Sequence, residues 1–155
     1  MIRTSVESDI GRIAGRMRES DCVEVWKSHN HSPADALKYS YEISPMCMTL
    51  VHKGEPVAMF GLCPDGPEQP KQATVWLLGT DQLRYIWRIF LKLSVECVSW
   101  MLEIYPVLYN FVDAENHTSI RWLTWLGARF EEPAPYGKEG RMFRQFVIER
   151  KPNHV

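Results

Sequence analysis

The sequence predicts an α/β fold in which a mixed central sheet is flanked by helices. Three observations lead there. From Asp81 to Ile104, apolar residues Ile86, Ile89, Phe90, Leu93, Cys97, Trp100, Met101 and Ile104 recur at three and four positions, while Arg84, Arg88, Lys92, Glu96 and Glu103 fall outside that stripe. Apolar runs at Ala73–Leu78 and Val107–Val112 bracket this amphipathic helix, a strand-helix-strand unit whose second strand returns beside the first. At 155 residues, 18.1 kDa and 45% hydrophobic, the chain suits one core, so a single domain over 1–155 is expected.

The elements follow in order. Ile2–Thr4 reads as a short strand, then Ser5 or Ser8 caps a helix with Ile10, Ile13, Ala14 and Met17 on one face. Val23, Val25 and Trp26 precede the polar His29-Asn30-His31-Ser32 stretch, and Pro33 opens a second short helix through about Tyr41. Met46–Val51 and Val57–Leu62 form a hairpin about Gly54, where a positive backbone angle suits the turn. Pro64, Gly66, Pro67 and Pro70 sustain neither ladder nor helix, which places a surface loop over 63–72. Pro106 stops the long helix. Asn116 caps another helix, burying Ile120, Trp122, Leu123 and Leu126, and Gly127 ends it in the left-handed conformation. Ala128–Glu131 and Met142–Ile148 close the chain as strands around a turn at Pro133–Gly140, before a flexible tail at 151–155.

Eighteen Lys plus Arg against nineteen Asp plus Glu leave a net charge of -1, which argues against general nucleic-acid binding. Cys22, Cys47, Cys63 and Cys97 form no C-x-x-C pair and suit thiols in a reducing compartment, so cytoplasmic synthesis is expected and no metal knuckle. His29 and His31 supply only two clear ligands, fewer than a metal needs, and are read as structural or surface residues. The start of the chain develops no signal-like apolar stretch, and the charges inside the long helix argue against a membrane span.

The order β, α, α, β, β, β, α, β, α, β, β resembles the fold of the Gcn5-related N-acetyltransferases (GNAT). The stretch Asn116-His117-Thr118-Ser119-Ile120-Arg121 followed by Leu126-Gly127-Ala128-Arg129-Phe130 is similar to that family's last helix and the strand after it. Over Val75 to Glu131, with Thr80-Asp81-Gln82 opening the long helix, the chain also resembles the small internal virion, or virion-morphogenesis, proteins of short-tailed coliphages. That second resemblance implies a protein made in the host cytoplasm and possessing a place in the virion or its assembly, with phage structural or host proteins as partners.

The GNAT resemblance implies acetyl-CoA and a diphosphate cradle where the strand enters the long helix. In the family, that turn carries small residues that let bare amides approach the phosphates. The corresponding stretch here is Gln82-Leu83-Arg84-Tyr85-Ile86-Trp87-Arg88, without glycine. Asp81 caps the helix but repels a phosphate, each effect being worth roughly 0.3 to 1 kcal/mol. The cofactor candidates are the backbone of Leu83, Arg84, Tyr85 and Ile86, the cations of Arg84 and Arg88, and Asn116. The family's proton-donating Tyr, seven residues after the helix-opening Asn, is replaced by Leu123, which leaves Tyr109 or Tyr136 as substitutes. Asp113, Glu115 and Glu55 are the candidate bases, although turn carboxylates are more often solvated than catalytic. Six Trp exceed what one small core absorbs, so Trp87 and Trp125, beside Arg84, Arg88 and Arg121, are expected at a protein interface.

Two losses at the most demanding places favour a GNAT-like protein that binds other proteins in virion assembly, with no cofactor. The alternatives are an acetyl-CoA-dependent N-acetyltransferase with a divergent cradle, and a host-directed inhibitor.

Overall fold

The computed structural model describes residues 1–152. Strands β1 (Ile2–Thr4), β2 (Met46–His52), β3 (Glu55–Pro64), β4 (Gln72–Gly79), β5 (Val107–Asp113), β6 (Arg129–Phe130), β7 (Ala134–Tyr136) and β8 (Arg141–Glu149) build one sheet. Its order is β1-β2-β3-β4-β5-β8-β6, with β7 also paired to β8. Among the described residues, β4 and β5 pair in parallel and the other pairings are antiparallel. The helices are α1 (Ser8–Ala14), α2 (Glu19–His29), α3 (Pro33–Ile43), α4 (Trp87–Ile104) and α5 (His117–Trp125), and a 3-10 turn at Asp81–Ile86 leads into α4.

Helices cover both faces of the sheet, which is why β3 is buried from Pro56 to Leu62 and reads as a continuous apolar run. On one face Ile13 of α1 and Ala36 and Leu37 of α3 pack with Met59 and Leu78. On the other, Met101 of α4 and Leu123 of α5 pack with Phe60, Leu62, Leu108 and Phe146. Leu83 and Ile86 of the 3-10 turn join Leu50, Val57 and Ala58 in a third cluster. The mixed sheet and its flanking helices thus match the expected fold class.

Several expectations are corrected. Neither Ser5 nor Ser8 caps α1: Ser5 is buried against Thr49 at 2.7 Å, and the Val6 N–H donates to Asp9 Oδ2 at 3.0 Å. Met17 lies past α1, bridging to Thr80. Residues Glu19–His29, given no helix from sequence, form α2, and the short strand β7 was likewise unanticipated. The long helix begins at Trp87, after the 3-10 turn, and its inward stripe is rotated. Ile89, Trp100 and Ile104 are exposed, whereas Ser94 is buried with its hydroxyl donating to the Phe90 carbonyl at 2.7 Å. The loop is shorter than 63–72, because Cys63 and Pro64 finish β3 and Gln72 begins β4. Lys151 and Pro152 follow β8 without regular structure, and the rest of the expected tail lies outside the described residues.

Candidate functional site at the strand fork

Strands β4 and β5 pair only over Gln72–Thr74 and Val107–Tyr109. Beyond that they part, and the last tie between them is the Asn110 side-chain amide donating to the Val75 carbonyl at 2.8 Å. A cavity of about 390 Å³ opens at this fork, lined by residues of both strands and of α2, among them Glu24, Ser28 and His29. Parted strands leave backbone N–H groups that need acceptors, and α2 supplies them. Asp21 accepts the Gly79 N–H at 2.9 Å at the end of β4, while Glu24 Oε1 accepts the Asp113 N–H at 2.9 Å at the end of β5. Glu24 also accepts from Asn116 Nδ2 at 3.2 Å, and Lys27 Nζ donates to Asp113 Oδ2 at 2.8 Å. Asp21, Glu24 and Lys27 are three apart in sequence, so one side of α2 turns a polar stripe onto the fork. Val23 and Trp26 stand exposed, Trp26 at 55%. The helix is held from outside by the turn after β7: Gly137, at φ 77°, packs so closely on the Ser28 backbone that no Cβ would fit.

The electrostatics follow from this burial. Burial pushes the Asp21 carboxyl above its ordinary value, opposed by Arg18 and the Gly79 N–H. Burial likewise raises Glu24 to about 7, only partly offset by the Asp113 N–H and Asn116. The hydrogen bond to Asp113 raises Lys27. On the far wall, Tyr136 stacks on Phe111 with centroids 4.1 Å apart and meets the edge of His29 at 6.1 Å. Burial raises Tyr136 and lowers His29. Among the described residues no three His, Cys, Asp or Glu side chains converge as a metal site.

The candidate bases do not gather in the fork as free carboxylates. Asp113 is buried and committed to Lys27, and its Oδ1 accepts the Glu115 N–H at 3.0 Å. Glu115 points to solvent, reaching Lys27 at 3.5 Å, and Glu55 pairs with Arg12 on the exposed hairpin turn. The Tyr109 hydroxyl donates to Asp65 at 2.7 Å, tying the loop to β5, whereas Tyr136 does line the cavity. The carboxylates placed in the cavity wall are instead Asp21 and Glu24 of α2. The spacing Asp21-x-x-Glu24-x-x-Lys27 was the available signal.

The turn carrying the cofactor candidates is filled. Leu83 and Ile86 are buried, and the Leu83 side chain occupies the space where a Cβ on Gly79 would stand. Tyr85 and Trp87 project outward, with Arg84 stacked over Tyr85 at 5.1 Å and Arg88 over Trp87 at 5.4 Å. Asn116 accepts the Ser119 N–H at 3.2 Å as the cap of α5. Phe90 and Trp122, on the two helices that follow the parted strands, touch with centroids 5.2 Å apart, and the buried Trp122 indole N–H has no acceptor among the described residues. Trp125 and Arg121 are exposed on α5.

Solved structures of N-acetyltransferases share this architecture. A ribosomal-protein-alanine N-acetyltransferase from Brucella melitensis superposes with a TM-score of 0.69 at 17% identity, over 97% of this chain and 99% of that one. An N-acetyltransferase from Staphylococcus aureus Mu50 does so with 0.68 at 13%, over 96% and 97%. At such identities the likeness shows the GNAT fold alone. In sequence, the "Probable scaffold protein gp13" of Escherichia phage T7 is 31% identical over 144 residues, covering 86% of this chain and 94% of that protein. Residues 46–134 match the family model described as "Bacteriophage T7, probable scaffold protein Gp13". The chain thus sets a GNAT fold under a phage sequence signature, and it belongs to the T7 Gp13 family.

Proposed function

We propose that this protein acts in the assembly of a short-tailed phage particle by binding other phage proteins, and that it transfers no acetyl group. The observation that carries this reading is the Asp81–Ile86 turn. Where a diphosphate needs convergent bare amides, Leu83 and Ile86 peg the backbone to the sheet and Tyr85 and Trp87 stand outside it. The Asp81 carboxylate at the same turn adds a charge of the wrong sign for a phosphate. The scaffold description of the T7 relative supports the assembly role, and partners are then phage structural proteins met in the host cytoplasm.

Two observations favour a second reading, in which the protein is an N-acetyltransferase. Burial pushes Glu24 up to about 7 in the cavity wall, and a general base works best near neutral pH. The unpartnered Trp122 indole N–H lies at the junction of α4 and α5. A phage deleted for the gene and complemented in trans separates the readings. The assembly reading predicts that deletion sharply lowers the yield of infectious particles, and that wild type and Glu24→Gln restore it equally. Normal particle yield from the deletion phage, or failure of a folded Glu24→Gln protein to complement, would contradict it.

A further inference from the structure

The outer face of α4 and of the turn before it has a composition that neither the sheet nor the fork uses. Arg84, Arg88 and Lys92 recur every four residues and are all exposed, and among the described residues none of them forms an ion pair. Like charges four apart repel, and cations near a helix start oppose its dipole. The row therefore works against the stability of the helix that bears it. Beside it, Tyr85 is 69% exposed and Trp87 52% exposed, so aromatic surface and uncompensated positive charge share one ridge.

The stacked pairs define what this ridge can recognise. Arg84 lies over Tyr85 and also donates to its hydroxyl at 3.2 Å, and Arg88 lies over Trp87. Arg84 commits one N–H to the Tyr85 hydroxyl, and both guanidinium-bearing residues are exposed, so their remaining N–H groups are available to a carboxylate in the paired geometry that suits it. Each ring has a cation over it, at 5.1 and 5.4 Å from the centroid, where a stacked base would need room. A net charge of -1 also gives no extended field for a phosphate backbone. We propose that this ridge docks an acidic segment of another protein, its carboxylates seated on Arg84, Arg88 and Lys92 and its apolar side chains covering Tyr85 and Trp87. The proposal rests on the protein-binding reading and adds the chemistry of the partner.

The test uses the full chain and three fluorescein-labelled probes: a peptide of alternating glutamate and leucine, its glutamine counterpart, and oligothymidylate of matching charge. The glutamate peptide binds, more weakly as salt rises, and Arg84→Glu/Arg88→Glu lowers its affinity roughly tenfold or more through two lost charge-assisted contacts. The same double variant keeps or raises the melting temperature, because it relieves the repulsion along the helix. If it does not fold, Lys92→Gln and Trp87→Ala carry the same expectation of weakened binding, with Glu96→Lys as a control that leaves binding undiminished. Equal binding of the glutamine peptide, tighter binding of oligothymidylate, or undiminished binding by the folded ridge variants overturns the proposal. In the phage, normal assembly with the double variant, set against a failing deletion, would sink this ridge while leaving the assembly role standing.

Discussion

Asp113→Ala lowers the melting temperature by roughly 10 °C, a loss of about 3 kcal/mol in a domain of this size. Asp113 is buried at the end of β5, where its carboxylate holds Lys27 at 2.8 Å and its own N–H is held by Glu24. Removing the carboxylate leaves the Lys27 ammonium between α2 and the sheet with the solvent-facing Glu115, at 3.5 Å, as its remaining partner, and that cost exceeds the net worth of the intact pair. Truncating both partners should therefore be milder: Asp113→Ala/Lys27→Met recovers much of the loss because no charge remains unpaired. Urea melts of the two variants check this, with unchanged slopes confirming that the compactness of the end states is the same. A fall of under about 2 °C for Asp113→Ala would mean that α2 is held by something other than its polar stripe.

Glu24→Gln stabilises the protein at pH 8 and leaves it nearly unchanged at pH 4.5. Burial raises the folded-state value of Glu24 from 4.5 to about 7, so between those values the native state keeps a proton that the unfolded chain releases. Its contribution is fully present below pH 4.5 and is lost as the pH rises through about 7, by about 3 kcal/mol at most. Glutamine keeps the acceptor for the Asp113 N–H and never ionises. The raised Asp21 acts in the same direction. Asp9 sets the opposite limb. Burial alone would raise its carboxyl, but Arg3, the Val6 N–H and Thr49 together bring it from 3.8 down to about 2. Its stabilisation is present above 3.8 and disappears as the pH falls through about 2. The contribution of these two groups is thus greatest between pH 3.8 and 4.5, and thermal melts across pH show Glu24→Gln flattening only the alkaline limb. A variant less stable than wild type at pH 8 would contradict this account of the fork.

The parts of the molecule legible in the sequence are those whose apolar residues face inward at a regular period. The hairpin of β2 and β3, the helix after β4 and the Asn116 and Gly127 ends of α5 all follow that rule. Helix α2 breaks it. Its inward side carries Asp21, Glu24 and Lys27 beside Cys22 and Val25, while Val23 and Trp26 face outward, so the hydrophobic pattern read on it is split between two faces. The same cause hid the site. Asp113 was nominated, yet Lys27 and Glu24 lie 86 and 89 residues away in the chain and meet it only because β4 and β5 part. On α4, Ser94 is buried by bonding its own helix, which let Ile89, Trp100 and Ile104 turn outward against the expected stripe. The exposure of Trp87 and Trp125 was foreseeable, because indoles three residues from the inward Phe90 and Trp122 have little core left to enter.

Titration of the purified protein with acetyl-CoA, followed by calorimetry and by thermal melting, tests the central claim most directly. A ligand bound only by the native state stabilises it by about 2.7 kcal/mol at a hundredfold excess over its dissociation constant, which a melt of this domain reads as roughly 5 to 11 °C. The filled turn at Leu83–Ile86 and the ring contact between Phe90 and Trp122 predict no heat of binding and no shift up to millimolar cofactor. Saturable binding, with a melting temperature that climbs with acetyl-CoA concentration, would contradict the account and make Glu24 a catalytic base to be tested.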